Sequence, residues 1–167
     1  MKHRILPILL TLLTILWIGF IFSNSLENAE ESGQKTDTVK EVVDQVAEEL
    51  GHPEGVDYTV IRKSGHVVEF MVLGMLMSCS ALAWRMFSSK FLTLKNTYTL
   101  CGVLALCALI AVADELIQKL SEGRVSAFLD VLIDIGGTFA GLVLFSLVYF
   151  GFCAIRAHRE RKAERAV

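Results

Sequence analysis

The sequence predicts an all-α, polytopic membrane protein: four transmembrane helices plus an extracytoplasmic amphipathic helix. Three observations carry that expectation. The 167 residues are 53% hydrophobic with a mean hydropathy of +0.53, too apolar for an ordinary soluble domain. Charges are segregated into a few stretches rather than mixed along the chain. Four segments approach the roughly 20 apolar residues needed to cross a hydrocarbon core of about 30 Å. They center on Ile5–Asn24, His66–Trp84, Asn96–Ala113 and Ile135–Ile155, giving spans near 5–24, 66–84, 96–117 and 127–155. With no internal repeat or low-complexity segment, residues 1–155 read as one membrane domain and 156–167 as a basic tail.

The first segment follows a basic start, Lys2 and Arg4. Its uncharged run exceeds a signal-peptide core of about 7–15 residues, and no small-x-small cleavage site follows, so an uncleaved anchor is expected. The outer loop, 25–62, holds ten acids against Lys35, Lys40 and Arg62. Within it Val39, Val42, Val43, Val46 and Leu50 mark one apolar face of a helix over 38–50, with Thr38 and Glu41 as a capping box and Gly51 and Pro53 as the stop. Its acidic opposite face argues against strong attraction to anionic lipid, and a lid over the bundle is expected. The second span is imperfect because it contains His66 and Glu69.

Arg85, Lys90 and Lys95 join the second and third spans, and Arg156, Arg159, Arg161, Lys162 and Arg165 form the tail. Basic loops stay on the cytoplasmic side, so an even number of spans puts both termini there and the acidic loop outside. Cys79, Cys101, Cys107 and Cys153 fall within spans without metal or disulfide spacing, and buried free thiols behave as small hydrophobes.

One stretch departs from this economy. Residues 111–137 read AVADELIQKLSEGRVSAFLDVLIDIGG, with acids inside two helix ends as well as in the turn. Under the expected topology the outer ends of three spans bring Lys63, His66, Glu69, Asp114, Glu115, Gln118, Arg124, Asp130 and Asp134 to one depth. Lys63, His66 and Glu69 step by three along a broad helix face, and Asp114 and Gln118 share a face at i, i+4. Asp130, Asp134, Gly137 and Gly141 form a stripe whose glycines let another helix come close. A charge facing lipid at a helix center costs on the order of 2.5–3.5 kcal/mol on insertion scales, so these groups are expected to face one another or a wet recess. Snorkelling to water is the bland alternative; it suits Lys63, Lys119 and Glu122 better than the short side chains of Glu69 and Asp134.

These residues resemble the VanZ-like family of small bacterial membrane proteins. The likeness runs from about residue 5 to 150 and rests on Lys63-x-x-His66-x-x-x-Phe70, Asp114-Glu115-x-x-Gln118, Gly123-Arg124 and Asp130-x-x-x-Asp134-x-x-Gly137. Phe70 stands where the family often has Tyr, and Asp134 where it often has Asn, which adds a negative charge. The resemblance implies a bacterial cell membrane location and a link to low-level teicoplanin resistance. Through a proposed remote kinship with enzymes that exchange phospholipid head groups, it also implies that the polar residues are catalytic.

Two classes of function are then expected. As an enzyme, a lipid head-group transferase or hydrolase, Arg124 and Lys63 would hold a phosphate, Arg124 through its planar fork, with Gln118 beside them. His66, oriented by Glu69, would be the general base. Asp114, Glu115, Asp130 or Asp134 would position the attacking hydroxyl or hold a divalent cation through hard oxygen ligands, although no ligand spacing demands a metal. As a binding or resistance factor, the same cavity would recognise a membrane lipid, a lipid-linked envelope precursor or a lipoglycopeptide without turnover. A transporter fits less well with four unbroken, non-repeating helices, and nucleic acid is not an expected partner.

Overall fold

A computed structural model describes residues 4–52, 54–91, 93–121 and 128–164. Those residues form five helices and no strand: α1 (Ile5–Leu26), α2 (Ala29–Glu49), α3 (Tyr58–Ala83), α4 (Leu94–Gln118) and α5 (Phe128–Glu164). Four of them, all but α2, are long and apolar enough to cross a membrane. At about 1.5 Å per residue, even the 22 residues of α1 reach about 33 Å. The outward faces confirm the solvent they are built for. Leu16 is 71% exposed, Leu109 67% and Leu147 69%, while Phe70, Leu73, Cys107 and Ala111 are fully buried. A soluble bundle would bear a heavy cost for that outer surface; in lipid it costs nothing.

α3 and α5 share the largest interface, and glycines explain why. A Cβ on Gly137 would lie 2.5 Å from the Val67 carbonyl oxygen, and one on Gly74 would lie 2.8 Å from that of Thr138. One on Gly141 would strike the Met71 carbonyl oxygen. The stripe expected from the sequence therefore carries close backbone approaches between α3 and α5. At the opposite end from the acid-rich turn, Asn96 ties off the α3–α4 connection. Its Oδ1 accepts from Ser88 N (2.7 Å), and its Nδ2 donates to the carbonyls of Ser88, Lys90 and Phe91.

Several boundaries differ from expectation. The outer helix begins at Ala29 rather than Thr38, and its capping box is Asn28 with Glu31. Thr38 lies mid-helix, where its hydroxyl donates to the Gln34 carbonyl oxygen. Residues 29–37 lack an apolar face, so periodicity passes over them, yet Glu30 and Glu31 suit the positive end of the helix dipole. α3 starts at Tyr58, capped by Asp57, so its polar first two turns are helix rather than loop. α5 runs on through Glu164, so most of the basic tail continues the last span; Arg156 and Glu160 pair along it at 2.9 Å. Cys107 is buried as expected, but Cys101 is exposed on the outer face. Pro53, the start of the fourth span at 127, and the basic residues Lys2 and Arg165 lie outside the described residues.

The lid helix is clamped at its far end. Asp44 accepts from Lys40 Nζ (2.5 Å) and Val56 N (2.9 Å), and Lys40 also donates to the Val56 carbonyl oxygen. Gly55, at φ +67°, is required there, since a Cβ would sit 2.6 Å from Asp44 Oδ1.

Candidate functional site

The polar site forms where α1 and α4 end and where α3 begins and α5 enters. α3 and α5 supply two cross-helix pairs. Lys63 Nζ lies 3.2 Å from Asp130 Oδ1, near the surface. One turn deeper, His66 Nδ1 faces Asp134 Oδ1 at 3.6 Å, with the carboxylate side chain only 1% exposed. The Gly137–Val67 contact lies directly beneath.

α4 adds Asp114, Glu115 and Gln118, all buried. Gln118 Nε2 donates to Asp114 Oδ2 (3.1 Å), as the i, i+4 spacing predicts. α1 completes the shell. Ser25 Oγ donates to Asp114 Oδ1 at 2.5 Å, and Asn24 Nδ2 donates to Glu69 Oε1 at 2.7 Å. Trp17 Nε1 reaches the Glu69 carbonyl oxygen (3.0 Å), and Ser121 Oγ reaches the Ser25 carbonyl oxygen (2.9 Å). Ligand-capable atoms of His66, Asp114 and Asp134, from three different helices, all lie within 4.8 Å of one another.

A groove of about 640 Å³ runs from this center between α1, α2 and α3. Trp17, Phe20, Val39, Val43, Val60 and Val68 give it an apolar wall, and Lys35 and Arg62 stand on its lining. Asn24, His66 and Glu69 form its polar part. His66 belongs both to the groove and to the buried trio, so it connects the two. α2 lines the groove through Val39 and Val43, although Val39, like Val42, Val46 and Leu50, is at least half exposed.

Most of the candidates therefore meet, though not always in the expected roles. The carboxylate facing His66 Nδ1 is Asp134, while Glu69 is held by α1. Lys63 is engaged with Asp130, and Lys35 on the groove lining is likewise paired with Glu27; Arg62 also stands on that lining. Glu115 is buried with no hydrogen-bond partner for either carboxylate oxygen among the described residues. Asp114 and Asp134 are buried too deeply to snorkel, but Lys63, with its side chain 42% exposed, does reach water. Arg124, Gly123 and Glu122 lie outside the described residues. Sequence reasoning overlooked Asn24, Ser25 and Trp17. The signal for the first two was present: a polar pair closing an otherwise apolar run, at the same depth as the acids.

Chemically, an imidazole backed by a buried carboxylate and open to a groove can take up and return a proton. Hydrogen bonds to Asp114 from two helices hold it as an oriented acceptor. A family described as VanZ/LLP1 matches residues 10–149 of the chain. No curated protein and no solved structure matches it.

Proposed function

The chain belongs to the VanZ/LLP1 family and is built as a membrane protein; from that premise we propose that it takes a phosphate-bearing amphiphile at the outer leaflet and acts on its head group. Phospholipids and lipid-linked envelope precursors share this chemistry. The observation that carries the reading is the groove, apolar along most of its length and ending at His66. Such a shape suits an acyl chain with its head group delivered to an acid–base residue. Arg62 favors an anionic head, and Arg124, which the described residues do not include, is assigned the bidentate phosphate contact. His66, with Asp134 at Nδ1, removes the proton from an attacking hydroxyl as its oxygen bonds to phosphorus. The head-group ester bond breaks, and the leaving oxygen receives the proton back. Both termini are cytoplasmic in this reading, because the basic loop and tail lie at the end away from the acids.

Occupancy of the groove is read from Trp17. In a Trp84→Phe background Trp17 is the sole tryptophan. Phosphatidylglycerol with brominated acyl chains, titrated into detergent-solubilised protein, should quench it saturably. Filling the groove by Val43→Phe should abolish the saturable component. Quenching that stays linear with lipid, and is indifferent to Val43→Phe, would leave only ordinary boundary lipid and refute the groove.

A further inference from the structure

Glu69, Asp114, Glu115 and Asp130 all lie within electrostatic reach of Asp134, so five carboxylates crowd one end of the bundle. Against them stand Lys63 and His66. Among the described residues these acids outnumber the basic groups paired with them, Lys63 and His66. Buried charges in a bundle must pair, take up protons or coordinate a cation. An anionic head group brought to this end would worsen the imbalance.

We propose that His66, Asp114 and Asp134 bind one divalent cation of the Mn²⁺ or Zn²⁺ class. One imidazole and two carboxylates form a donor set suited to those ions. A four-coordinate ion with ligands at about 2.0–2.2 Å holds neighboring donors about 3.4 Å apart. His66 Nδ1 and Asp134 Oδ1 already stand 3.6 Å apart, and all three donors fall within 4.8 Å. Closing the trio requires only a rotamer-sized movement of Asp114, whose carboxylate is oriented by Ser25 and Gln118 as ligand carboxylates commonly are.

A second observation points the same way. Asp134 is 1% exposed, and its Oδ1, aimed at His66, has no hydrogen-bond partner among the described residues. Glu115, 5% exposed and next to Asp114 in sequence, has neither oxygen partnered among them. Three protein ligands leave a coordination position open, and His66 links the trio to the groove, so a phosphate oxygen can complete the shell. That last clause rests on the lipid reading, in which a His66 engaged with the ion through Nδ1 would help hold the head group in place of accepting the proton; the cation site itself rests on the side chains alone.

The test uses the full-length protein in detergent, stripped with chelator and free of added lipid. Mn²⁺ is titrated by calorimetry and followed by electron paramagnetic resonance. The expected result is one Mn²⁺ per chain, with nitrogen coupling from an imidazole in the spin-echo spectrum. Asp114→Asn and Asp134→Asn should each weaken binding at least tenfold, and Glu41→Gln on the exposed face of α2 should leave it unchanged. His66→Gln should erase the nitrogen coupling, and it carries the test should either aspartate variant fail to fold. Absence of stoichiometric Mn²⁺ and Zn²⁺ binding overturns the proposal. So does binding that survives both aspartate changes, or a wild-type spectrum without nitrogen coupling. Because no lipid is present, a negative result leaves groove occupancy to be judged by Trp17 quenching.

Discussion

Gly137→Ala links packing to the site most directly. The added Cβ would stand 2.5 Å from the Val67 carbonyl oxygen, where ordinary contact begins at 3.4 Å, so α5 must withdraw from α3 by up to 3.4 − 2.5 = 0.9 Å. Backbone cannot yield as a flexible side chain does, and overpacking of this kind costs about 1–3 kcal/mol. Val67 adjoins His66, and Gly137 lies one turn from Asp134, so the same withdrawal carries the 3.6 Å His66–Asp134 pair toward 4.5 Å. Gly136 is the internal control: it neighbors Gly137 in α5 but meets nothing within 4 Å, so its alanine should be neutral or stabilising by about 0.5–1 kcal/mol. Unfolding in mixed detergent and SDS measures both. Equal stability of the two variants and wild type would mean that α3 and α5 do not approach as described.

Other outcomes follow from the same geometry. Ser25→Ala removes the 2.5 Å bond to Asp114 and should destabilise the protein by about 1.5–3 kcal/mol in the same assay, the range for hydrogen bonds to charged groups. The hydrogen bond from Lys40, followed by that from Val56 N, holds the Asp44 carboxyl below its ordinary value of 3.8. A depressed value means the clamp on α2 is fully present above 3.8 and is lost as pH falls through the lower folded value. Amide exchange in α2 should therefore accelerate in wild type only under strong acid, and in Asp44→Asn already at neutral pH. Impermeant maleimide on intact cells should label Glu48→Cys but not Ser89→Cys or Ala163→Cys in a cysteine-free background; labelling of Ala163→Cys would invert the topology.

Much of this arrangement was legible in the sequence because the bilayer imposes a strong pattern. Uncharged runs announced four spans, and the i, i+4, i+7, i+11 stripe from Asp130 to Gly141 foretold both the aspartates and the close packing below them. The i, i+4 pair Asp114–Gln118 formed as spaced. What stayed hidden depends on contacts between segments distant in sequence. Nothing local shows that Asp134 faces His66 Nδ1, since that depends on the rotation of α5 against α3. Asn24 and Ser25 close the apolar run of the first span, and only the packing of α1 places them against Glu69 and Asp114. Helix starts were misread for a different reason. The early turns of α2 are polar and the start of α3 mixes Val60 and Ile61 with Arg62 and Lys63, so a test based on apolar periodicity passes over both.

The most direct measurement of the proposed activity is mass spectrometry of phospholipids and lipid-linked envelope precursors incubated with purified protein in mixed micelles, with and without Mn²⁺. Wild type should convert at least one phosphate-bearing lipid. His66→Gln should slow that conversion by about 10²–10⁴-fold, the usual contribution of a general base, while the saturable quenching of Trp17 persists. If wild type leaves every lipid unchanged, yet lipid still quenches Trp17 saturably, the site recognises amphiphiles without turning them over and the enzymatic reading is contradicted.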